Sequence, residues 1–506
     1  MTDRFIVAVD VGTTTIRACL YNGRAELVDS AAQPIKVDIR HSNECEVTVE
    51  IDPELLKVPA NASISMGICT QRNSFICWDK VSLRACGPFI CWNDCRARKK
   101  CEEWNRSMTL KVLNMCGGFL HSVTRKPRFR AAKMLKFLGS MVSFRLMVAM
   151  EQDKHMKELF NDGQLAYGCL DTWLLMKLSK GTVMVTEPSN TSATGMFDPF
   201  MNGYNSTILT MIGFPMKLLV PLGDSATTGQ SIAIVDKDFY GRTIPVAAML
   251  ADQQAALFGC GGWNKGDTMV SMGTGTFLQK NLDDVPHASM RGLYPLVGWR
   301  INGRTTFIAE GQEHDTSLII NWAHSIGLFE DVRDTSSIAE TAGSSDGIFF
   351  VPAFGGLQTY YNDDAACCGF LGIKPSSTKP QMVRALLEAI AFRVYEIFQT
   401  MEIEIRFKNQ SHVRICGGIS ANDFVCQTVA TLINRPVERV EDASFAASRG
   451  VALLSGLSQG LWRKEELSSM VRVGRTFQPR WEDRQGLLRT FNGWQKAVKR
   501  CQKFYD

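Results

Sequence analysis

Two short segments of the chain place glycine and threonine between runs of apolar residues. The first is Asp10-Val11-Gly12-Thr13-Thr14-Thr15, and the second is the MGTGTF segment at 272–277. A strand–turn–strand hairpin of this composition presents backbone N–H groups and hydroxyls, which together bind anions. Asp10, at the edge of the first turn, could hold Mg²⁺ against a phosphate. The same composition is also typical of an ordinary tight turn.

A glycine pair near the end of the chain strengthens the phosphate interpretation. Gly417-Gly418 directly precedes a helix-like segment that starts near Asn422. Glycine allows a nucleotide to lie close against the backbone. The two hairpins are about half a chain apart, as expected of a duplicated domain. The chain has neither the GxxxxGK[ST] loop nor the glycine loop and VAIK strand of protein kinases.

One carboxylate is a candidate general base. Asp252 opens the segment Asp252-Gln253-Gln254, between an apolar run at 244–249 and an alanine-rich helix start. A carboxylate at a strand end, where α/β proteins bind ligands, can accept the proton of an attacking hydroxyl. The alternative is that Asp252 is only the N-cap of the helix, a position that aspartate favours.

Two further segments suit a hydroxyl-rich ligand. Gln71-Arg72 and Trp92-Asn93-Asp94 each close a strand-like run. An arginine fork supplies hydrogen bonds, and a tryptophan face supplies a flat apolar wall. A surface arginine and a half-buried tryptophan are equally ordinary interpretations.

The elements that position these residues alternate between strand-like and helix-like runs, which predicts an α/β protein. Apolar residues at steps of three and four predict a core helix over 381–401, and a third helix is expected over 446–461. A chain of 506 residues is too long for one core. We therefore predict two domains, 1–255 and 256–506.

Composition excludes several classes of function for this chain. The net charge is only +5, and the densest basic stretch, at 96–100, reads as a solvated helix face, so nucleic acid is not an expected partner. No apolar run reaches the length of a membrane span. The start of the chain does not resemble a signal peptide, and the cysteines lack zinc-site spacing. These features favour a cytoplasmic protein with reduced cysteines.

From end to end the sequence resembles the glycerol kinases of the FGGY carbohydrate-kinase family. The motifs that carry the resemblance are VDVGTTTIRA (9–18), VEIDP (49–53), TQR (70–72), CWNDCR (91–96), DTWLLMKLSKG (171–181), SNTSATGMFDP (189–199), ADQQAALFG (251–259), MGTGTF (272–277), GIFFVPAFGGL (347–357), CGGISANDF (416–424) and GWQKAVKR (493–500). Within the family the chain is similar to a divergent animal branch, in which the residue after Gln-Arg is not glutamate.

The resemblance implies two ribonuclease-H/actin-like ATPase domains that face each other across a nucleotide cleft. It implies ATP and Mg²⁺, with glycerol as the small-molecule polyol converted to sn-glycerol 3-phosphate, and it leaves room for a homo-oligomer. Asp252 would be the general base, and Asp10 would act in catalysis and hold the metal. The ATP-binding residues would be Thr13, Thr14, Thr15, Arg17, Thr274, Ser317, Asn321, Gly418 and Asn422. The substrate-binding residues would be Arg72, Asn73, Trp92, Ser140, Asp252, Gln253 and Phe277.

Several positions depart from the family pattern. Asn73 stands where typical glycerol kinases have glutamate, Ser140 lies near a substrate-binding tyrosine position, Ser317 replaces a glycine, and Cys416 replaces the aspartate of a DGG motif. The segment between Pro53 and Gln71 is also shorter than in the family, and Pro59 would break the helix expected there. The alternatives are therefore a catalytically impaired pseudokinase that binds nucleotide, or a kinase of another small polyol or sugar.

Overall fold

The computed structural model describes residues 4–35, 44–45, 63–407 and 412–505. The VEIDP motif and the helix that Pro59 was expected to break lie outside these ranges. The strands in chain order are β1 (Arg4–Val11), β2 (Thr15–Tyr21), β3 (Leu27–Pro34), β4 (Glu44–Cys45), β5 (Ser63–Thr70), β6 (Phe75–Asp79), β7 (Phe89–Ile90), β8 (Leu165–Cys169), β9 (Phe197–Asp198), β10 (Gly203–Tyr204), β11 (Ala233–Val235), β12 (Ile244–Ala251), β13 (Thr268–Met272), β14 (Thr276–Asp283), β15 (Tyr294–Ile301), β16 (Arg304–Glu313), β17 (Phe349–Val351), β18 (Gly369–Leu371), β19 (Val413–Cys416), β20 (Val437–Val440) and β21 (Val473–Phe477).

Helices connect and cover these strands. In chain order they are α1 (Arg98–Arg106), α2 (Met108–Thr124), α3 (Pro127–Lys133), α4 (Val142–Gln152), α5 (Lys154–Asn161), α6 (Leu170–Leu178), α7 (Pro188–Thr191), α8 (Ser206–Met211), α9 (Lys237–Tyr240), α10 (Asp252–Gly259), α11 (Thr316–Ser325), α12 (Thr335–Thr341), α13 (Lys379–Glu404), α14 (Asp423–Ile433), α15 (Ala446–Ser458), α16 (Leu467–Met470) and α17 (Trp481–Cys501). Within the described ranges, no helix combines the length and the hydropathy that a membrane crossing requires.

The first large sheet is built around the predicted glycine–threonine hairpin. Its strand order is β11-β12-β5-β1-β2-β3. β1 and β2 form the antiparallel hairpin, and β1 pairs in parallel with β5, which pairs in parallel with β12. The middle of β1 is buried, as its apolar sequence predicts for a strand covered on both faces.

The second large sheet repeats this arrangement. Its order, read from the edge, is β21-β20-β19-β13-β14-β16-β15. The hairpin of β13 and β14 corresponds to that of β1 and β2, and β13, β19 and β20 run parallel like β1, β5 and β12. β21 is the antiparallel edge strand, as β11 is in the first sheet. Apart from the additional β15, the two sheets share one topology, as the repeated hairpins predicted.

The three predicted helices of the second half are present. α13 spans the predicted core helix and buries Leu386, Ile390 and Val394. α14 starts directly after Asn422, and α15 ends three residues before the predicted boundary. The predicted division near residue 255 stays a prediction. All strands of the first large sheet precede residue 255 in the sequence, and all strands of the second follow it.

The two halves meet through a close contact between α10 and α15. α15 also packs on β1, β5 and β12, so this helix from the second half covers the first sheet. A Cβ atom added to Gly450 would lie 1.8 Å from the Ala255 carbonyl oxygen, and one added to Gly259 would lie 2.0 Å from that of Ala446. Two backbones approach this closely only where neither helix carries a side chain.

We expect Gly450→Ala to lower the stability of the protein by about 3 kcal/mol, because an overpacked backbone contact cannot relax cheaply. Thermal denaturation of the variant measures the loss. Gly486→Ala in α17 is the matched control, since a Cβ there meets nothing within 4 Å. The control is expected to gain about 0.5–1 kcal/mol through helix propensity. Equal midpoints of thermal denaturation for the two variants would contradict the close backbone contact at Gly450.

Candidate active site

A cleft of about 370 Å³ lies between the two large sheets. Both hairpin turns open into it, together with the ends of β5 and β12. Its lining residues are Asp10, Gly12, Thr13, Thr14, Thr15, Arg17, Gln71, Arg72, Asn73, Trp92, Ser140, Asp252, Gln253, Ala256, Ser271, Gly273, Thr274, Gly275, Phe277, Gln312, His314, Ser317, Cys416, Gly417, Gly418, Ala443, Ser444, Ala446 and Ala447. The volume is in the range of small-molecule sites.

The cleft brings together every predicted site residue except two. Asn321 lies on the exposed side of α11. Asn422 is the N-cap of α14: its side chain accepts a hydrogen bond from the Val425 amide at 3.0 Å and donates one to the Thr335 hydroxyl at 2.9 Å. Neither asparagine lines the cleft.

The first hairpin places a carboxylate and an arginine side by side. Asp10 and Arg17 are paired neighbours on β1 and β2. The Arg17 guanidinium donates to the Ser444 carbonyl at 2.8 Å and lies over the Phe445 ring, so it reaches across to the second half. Burial raises the pKa of Asp10, and the positive charge of Arg17 partly opposes that shift.

The second hairpin is closed by residues from two other elements. The Ser317 hydroxyl donates to the Gly273 carbonyl at 2.6 Å, and the Ser317 amide donates to the Thr274 carbonyl at 3.0 Å. Ser317, which stands where the family pattern has glycine, therefore holds the turn of the second hairpin. Gly417 has φ +89°, and a Cβ there would lie 2.4 Å from the Met272 carbonyl oxygen. Only glycine fits this approach.

Asp252 is the first residue of α10, and Ala251 is the N-cap. The alternative that Asp252 serves as the N-cap is therefore wrong; its Oδ1 accepts only the amide of the next residue, Gln253, at 2.8 Å. Burial raises the pKa of Asp252 to about 6, against the opposing charge of Arg72. A carboxyl group with this pKa is ionised at neutral pH and basic enough to accept a proton.

The orientation of Asp252 depends on a buried network that the SNTS motif supplies. The Ser189 hydroxyl accepts a hydrogen bond from the Ala251 amide at 2.8 Å. Glu187 accepts from the Ser189 hydroxyl and, at 2.8 Å, from that of Ser225. The end of β12 is therefore fixed immediately before Asp252. This is the structural role of the motif at 189–199.

Arg72 joins the two halves of the protein at the cleft. Its Nη2 atom pairs with Glu310 Oε1 at 2.9 Å, and both side chains are buried. The other Glu310 oxygen accepts from Gln279 Nε2 at 2.6 Å. The Arg72 guanidinium also lies 5.5 Å from the centre of the Phe277 ring. Sequence reasoning missed Glu310, because nothing in its local pattern indicates a partner 238 residues away.

Three buried polar atoms at the cleft have no hydrogen-bond partner among the described residues. They are Arg72 Nη1, Asn73 Oδ1 and Gln253 Oε1. One is a donor and two are acceptors, and each belongs to a residue that lines the cleft. Buried polar groups are normally paired, so these atoms are suited to a ligand that both donates and accepts hydrogen bonds.

Trp92 forms one wall of the same region. Its indole N–H donates to the Thr13 hydroxyl at 3.0 Å, which connects this wall to the first hairpin. His314 packs edge-on against Trp92, with ring centres 5.3 Å apart. Burial and the nearby Arg72 charge lower the pKa of His314 to about 4, so the ring is neutral at physiological pH. His314 was not predicted from the sequence.

Arg145 is a further residue that sequence reasoning missed. Its guanidinium donates to the Asn73 carbonyl at 2.5 Å, to the Ser140 carbonyl at 2.8 Å and to the Cys91 carbonyl. These carbonyls belong to the three segments that carry Asn73, Ser140 and Trp92. Arg145 is a positioning residue for one side of the cleft. A lone arginine within the apolar sequence of α4 is the signal that could have revealed it.

The residues of the cleft fit Mg²⁺ as a companion of phosphate. Among the residues that the structure describes, no three histidine, cysteine or acidic side chains cluster as a metal cage. Mg²⁺ rarely requires one, because it is commonly held by one or two carboxylates together with substrate phosphates and water. Asp10 would supply such a carboxylate beside the first glycine–threonine hairpin.

Comparison with known proteins shows the family of the chain. The N-terminal domain model of the FGGY family of carbohydrate kinases matches residues 5–125 and 139–259, and the C-terminal domain model matches 268–458. The structure of Plasmodium falciparum glycerol kinase with ADP covers 99% of this chain and 98% of its own, with a TM-score of 0.83 and 22% identity. A Lactobacillus acidophilus gluconate kinase structure covers 100% and 99%, with a TM-score of 0.79 and 17% identity.

Sequence relatives extend over the whole chain. Glycerol kinase 5 of Danio rerio is 37% identical over 100% of this chain and 98% of its own length. The Homo sapiens protein of the same name is 35% identical over 99% and 96%. The chain belongs to the FGGY family of carbohydrate kinases and is an enzyme of that class. The two-domain kinase fold predicted from the sequence is confirmed.

We expect Arg145→Lys to raise the KM of the phosphoryl acceptor about tenfold while changing the KM of ATP much less. The shorter lysine cannot hold all three carbonyls, and the side of the cleft where the family resemblance predicts the acceptor loses its alignment. Steady-state kinetics with each substrate varied in turn measure both constants. Arg393→Lys, at a buried arginine bound to Glu313 and Glu396, is the control for general destabilisation. A similar acceptor effect in both variants would contradict the positioning role.

Proposed function

We propose that this chain transfers the γ-phosphoryl group of ATP to a terminal hydroxyl of glycerol, giving sn-glycerol 3-phosphate and ADP. The observation that carries the proposal is the set of unpartnered atoms of Arg72, Asn73 and Gln253 beside the carboxylate of Asp252. A small polyol donates and accepts hydrogen bonds through adjacent hydroxyls, and so matches them. The names of the sequence relatives support glycerol as the polyol.

Asp252 is the proposed general base. Its carboxylate accepts the hydroxyl proton as the substrate oxygen bonds to the γ-phosphorus. The bond from that phosphorus to the bridging oxygen of ADP breaks, and the electron pair leaves with ADP. Because phosphoryl transfer depends mainly on positioning and charge neutralisation, a carboxylate fixed at the start of α10 suits the role.

The two hairpins are the proposed phosphate site. Thr13, Thr14, Thr15 and Arg17 act from the first half, and Thr274, Ser317 and Gly418 act from the second half. All seven line the cleft. The assignment of Asn321 and Asn422 to the nucleotide rests on the family resemblance alone, because neither lines the cleft. Asp10 would hold Mg²⁺, which neutralises phosphate charge when bound.

The acceptor site is proposed on the opposite side of Asp252. Arg72, Asn73 and Gln253 supply hydrogen bonds, while Trp92 and Phe277 supply apolar faces. Ser140 completes the lining, and Arg145 holds its backbone. The experiment that identifies the substrate is ADP release by the purified protein with Mg-ATP, measured against a panel of polyols and ketoses. If the protein phosphorylates a different polyol, that polyol replaces glycerol as the proposed substrate, and the proposed role of Asp252 is unchanged.

We expect Asp252→Asn to lower kcat about 10²–10⁴-fold, because the amide keeps the shape but cannot accept a proton. In the unsubstituted protein, kcat/KM should fall as pH drops below about 6, since protonation of Asp252, with a pKa of about 6, removes the base. Assays from pH 5 to 9 record the profile, and ATP binding by calorimetry confirms that the variant is folded. Near-normal turnover of Asp252→Asn would refute the assignment.

We expect Asn73→Glu to lower the KM for glycerol about tenfold. A charged acceptor strengthens a hydrogen bond by about 1.4 kcal/mol over a neutral one, which is a tenfold change in affinity. Asn73 lines the cleft and its Oδ1 has no hydrogen-bond partner among the described residues, so a carboxylate at this position could accept from a substrate hydroxyl. The measurement is the glycerol KM, with kcat followed in parallel.

Asn73→Gln is the matched control, because it has the length of glutamate without the charge. It also tests the cost of replacing asparagine at φ +62°, a conformation that asparagine tolerates well. A glycerol KM that is the same in Asn73→Glu as in the unsubstituted protein would show that position 73 does not contact the substrate. ATP binding without turnover on any polyol would instead support the pseudokinase alternative.

A further inference from the structure

Helix α2 presents an apolar stripe to solvent. Its members are spaced at three and four residues, and each is 45–71% exposed: Met108, Val112, Met115, Phe119 and Val123. Side chains at this spacing lie on one face of a helix. A surface helix normally turns such a face towards the core, so this orientation is unusual. A continuous exposed apolar surface commonly marks an interaction site.

The opposite face of α2 is the one that packs against the protein. Leu110 and Gly117 are buried, and Asn114 Nδ2 donates to the Leu135 carbonyl at 3.2 Å. A Cβ on Gly117 would lie 2.9 Å from the Ala132 Cβ, which shows how closely α3 follows this face. The stripe is therefore not the buried side of a displaced helix. It remains exposed when α2 and α3 form their hairpin.

The segment that contains the stripe carries charge of a single sign. From residue 104 to residue 150 the chain contains no aspartate or glutamate. Six basic residues on and beside the hairpin are exposed: Arg106, Lys111, Arg125, Lys126, Lys133 and Lys136. The whole chain carries a net charge of only +5, so this surface is far more basic than the rest of the protein.

We infer that this face of the α2–α3 hairpin is a docking surface for an anionic lipid membrane. An apolar stripe of Met, Val and Phe flanked by lysine and arginine is the pattern of a helix that lies in the membrane interface. The stripe enters the boundary between headgroups and acyl chains, while the basic side chains contact anionic headgroups. At 17 residues, α2 is about 25 Å long, which suits a helix that lies in the plane of the membrane.

The same charge distribution argues against a second copy of the chain as the occupant. A two-fold interface brings the same patch of both subunits together. Two copies of a hairpin that carries basic residues and no acidic ones would repel each other. An anionic membrane instead complements both features of the surface, the apolar stripe and its basic border.

This surface lies outside the kinase site. The residues that line the cleft include none from α2 or α3. The N-terminal family model also omits residues 126–138, which contain α3. Docking would hold the enzyme at a membrane without using any residue of the proposed reaction.

The test is sedimentation of the purified full chain with vesicles. One set contains phosphatidylcholine alone, and the other contains about a third phosphatidylserine. We expect at least about tenfold tighter binding to the anionic vesicles, with the difference falling as salt is raised. Met115→Asp/Phe119→Asp should weaken that binding at least about tenfold, because both apolar anchors are lost.

Val285→Asp/Ile373→Asp is the matched control. These residues are 57% and 55% exposed, and the change in charge is the same. The control should bind vesicles like the unsubstituted protein, and ADP release should show that both variants are folded. Absent or equal binding to the two kinds of vesicle, or an equal loss in both variants, would overturn the inference. So would a dimer in light scattering that Met115→Asp/Phe119→Asp dissociates, since the stripe would then bind a second copy.

Discussion

The contact between α10 and α15 is the constraint on which the cleft depends. At Gly259 and Gly450 the two helix backbones touch without intervening side chains. α10 begins at Asp252, directly after β12, and α15 follows the loop that contains Ser444. Because both helices lead directly into the cleft, their separation sets the distance between Asp252, the proposed general base, and the segment whose Ser444 carbonyl accepts from Arg17. The geometry of the site thus depends on the packing of these two helices.

The negative charges at the site are only partly compensated by nearby positive charges. Asp10 and Asp252 are two half-buried carboxylates, and desolvation raises the pKa of each. Arg72 is close enough to oppose the shift at Asp252, but its own ion pair is with Glu310. This division leaves Asp252 basic and keeps one face of the Arg72 guanidinium available. A fully paired Asp252 would be a weaker base, because an adjacent positive charge lowers the pKa of a carboxyl group.

The proposed membrane surface and the kinase site have different origins in the fold. The site is formed where two copies of one sheet topology face each other, so both halves contribute. The α2–α3 hairpin belongs to a group of helices between β7 and β8 that has no counterpart in the described part of the second sheet. Arg145 lies at the junction, because its helix follows the hairpin and its guanidinium holds the backbone of the proposed acceptor site. A substitution in the stripe can therefore change the surface while the geometry of the cleft is preserved.

The sequence by itself determined the two hairpins, the helices of the second half and the family. These depend on local properties, such as apolar periodicity, glycine at turns and motifs of adjacent residues, which can be read without knowing the fold. It also placed Asp252 correctly at a strand end, although the N-cap alternative stayed open until the structure showed Ala251 in that position.

Only the tertiary structure decided which distant residues meet. The pairing of Arg72 with Glu310, the hold of Arg145 on three carbonyls and the packing of α15 across the first sheet join segments far apart in the chain. An arginine carries the same local signal whether it is exposed or buried against backbone oxygens. The three-dimensional path of the backbone decides between these environments, because burial and hydrogen-bond partners are properties of the fold and not of the local sequence.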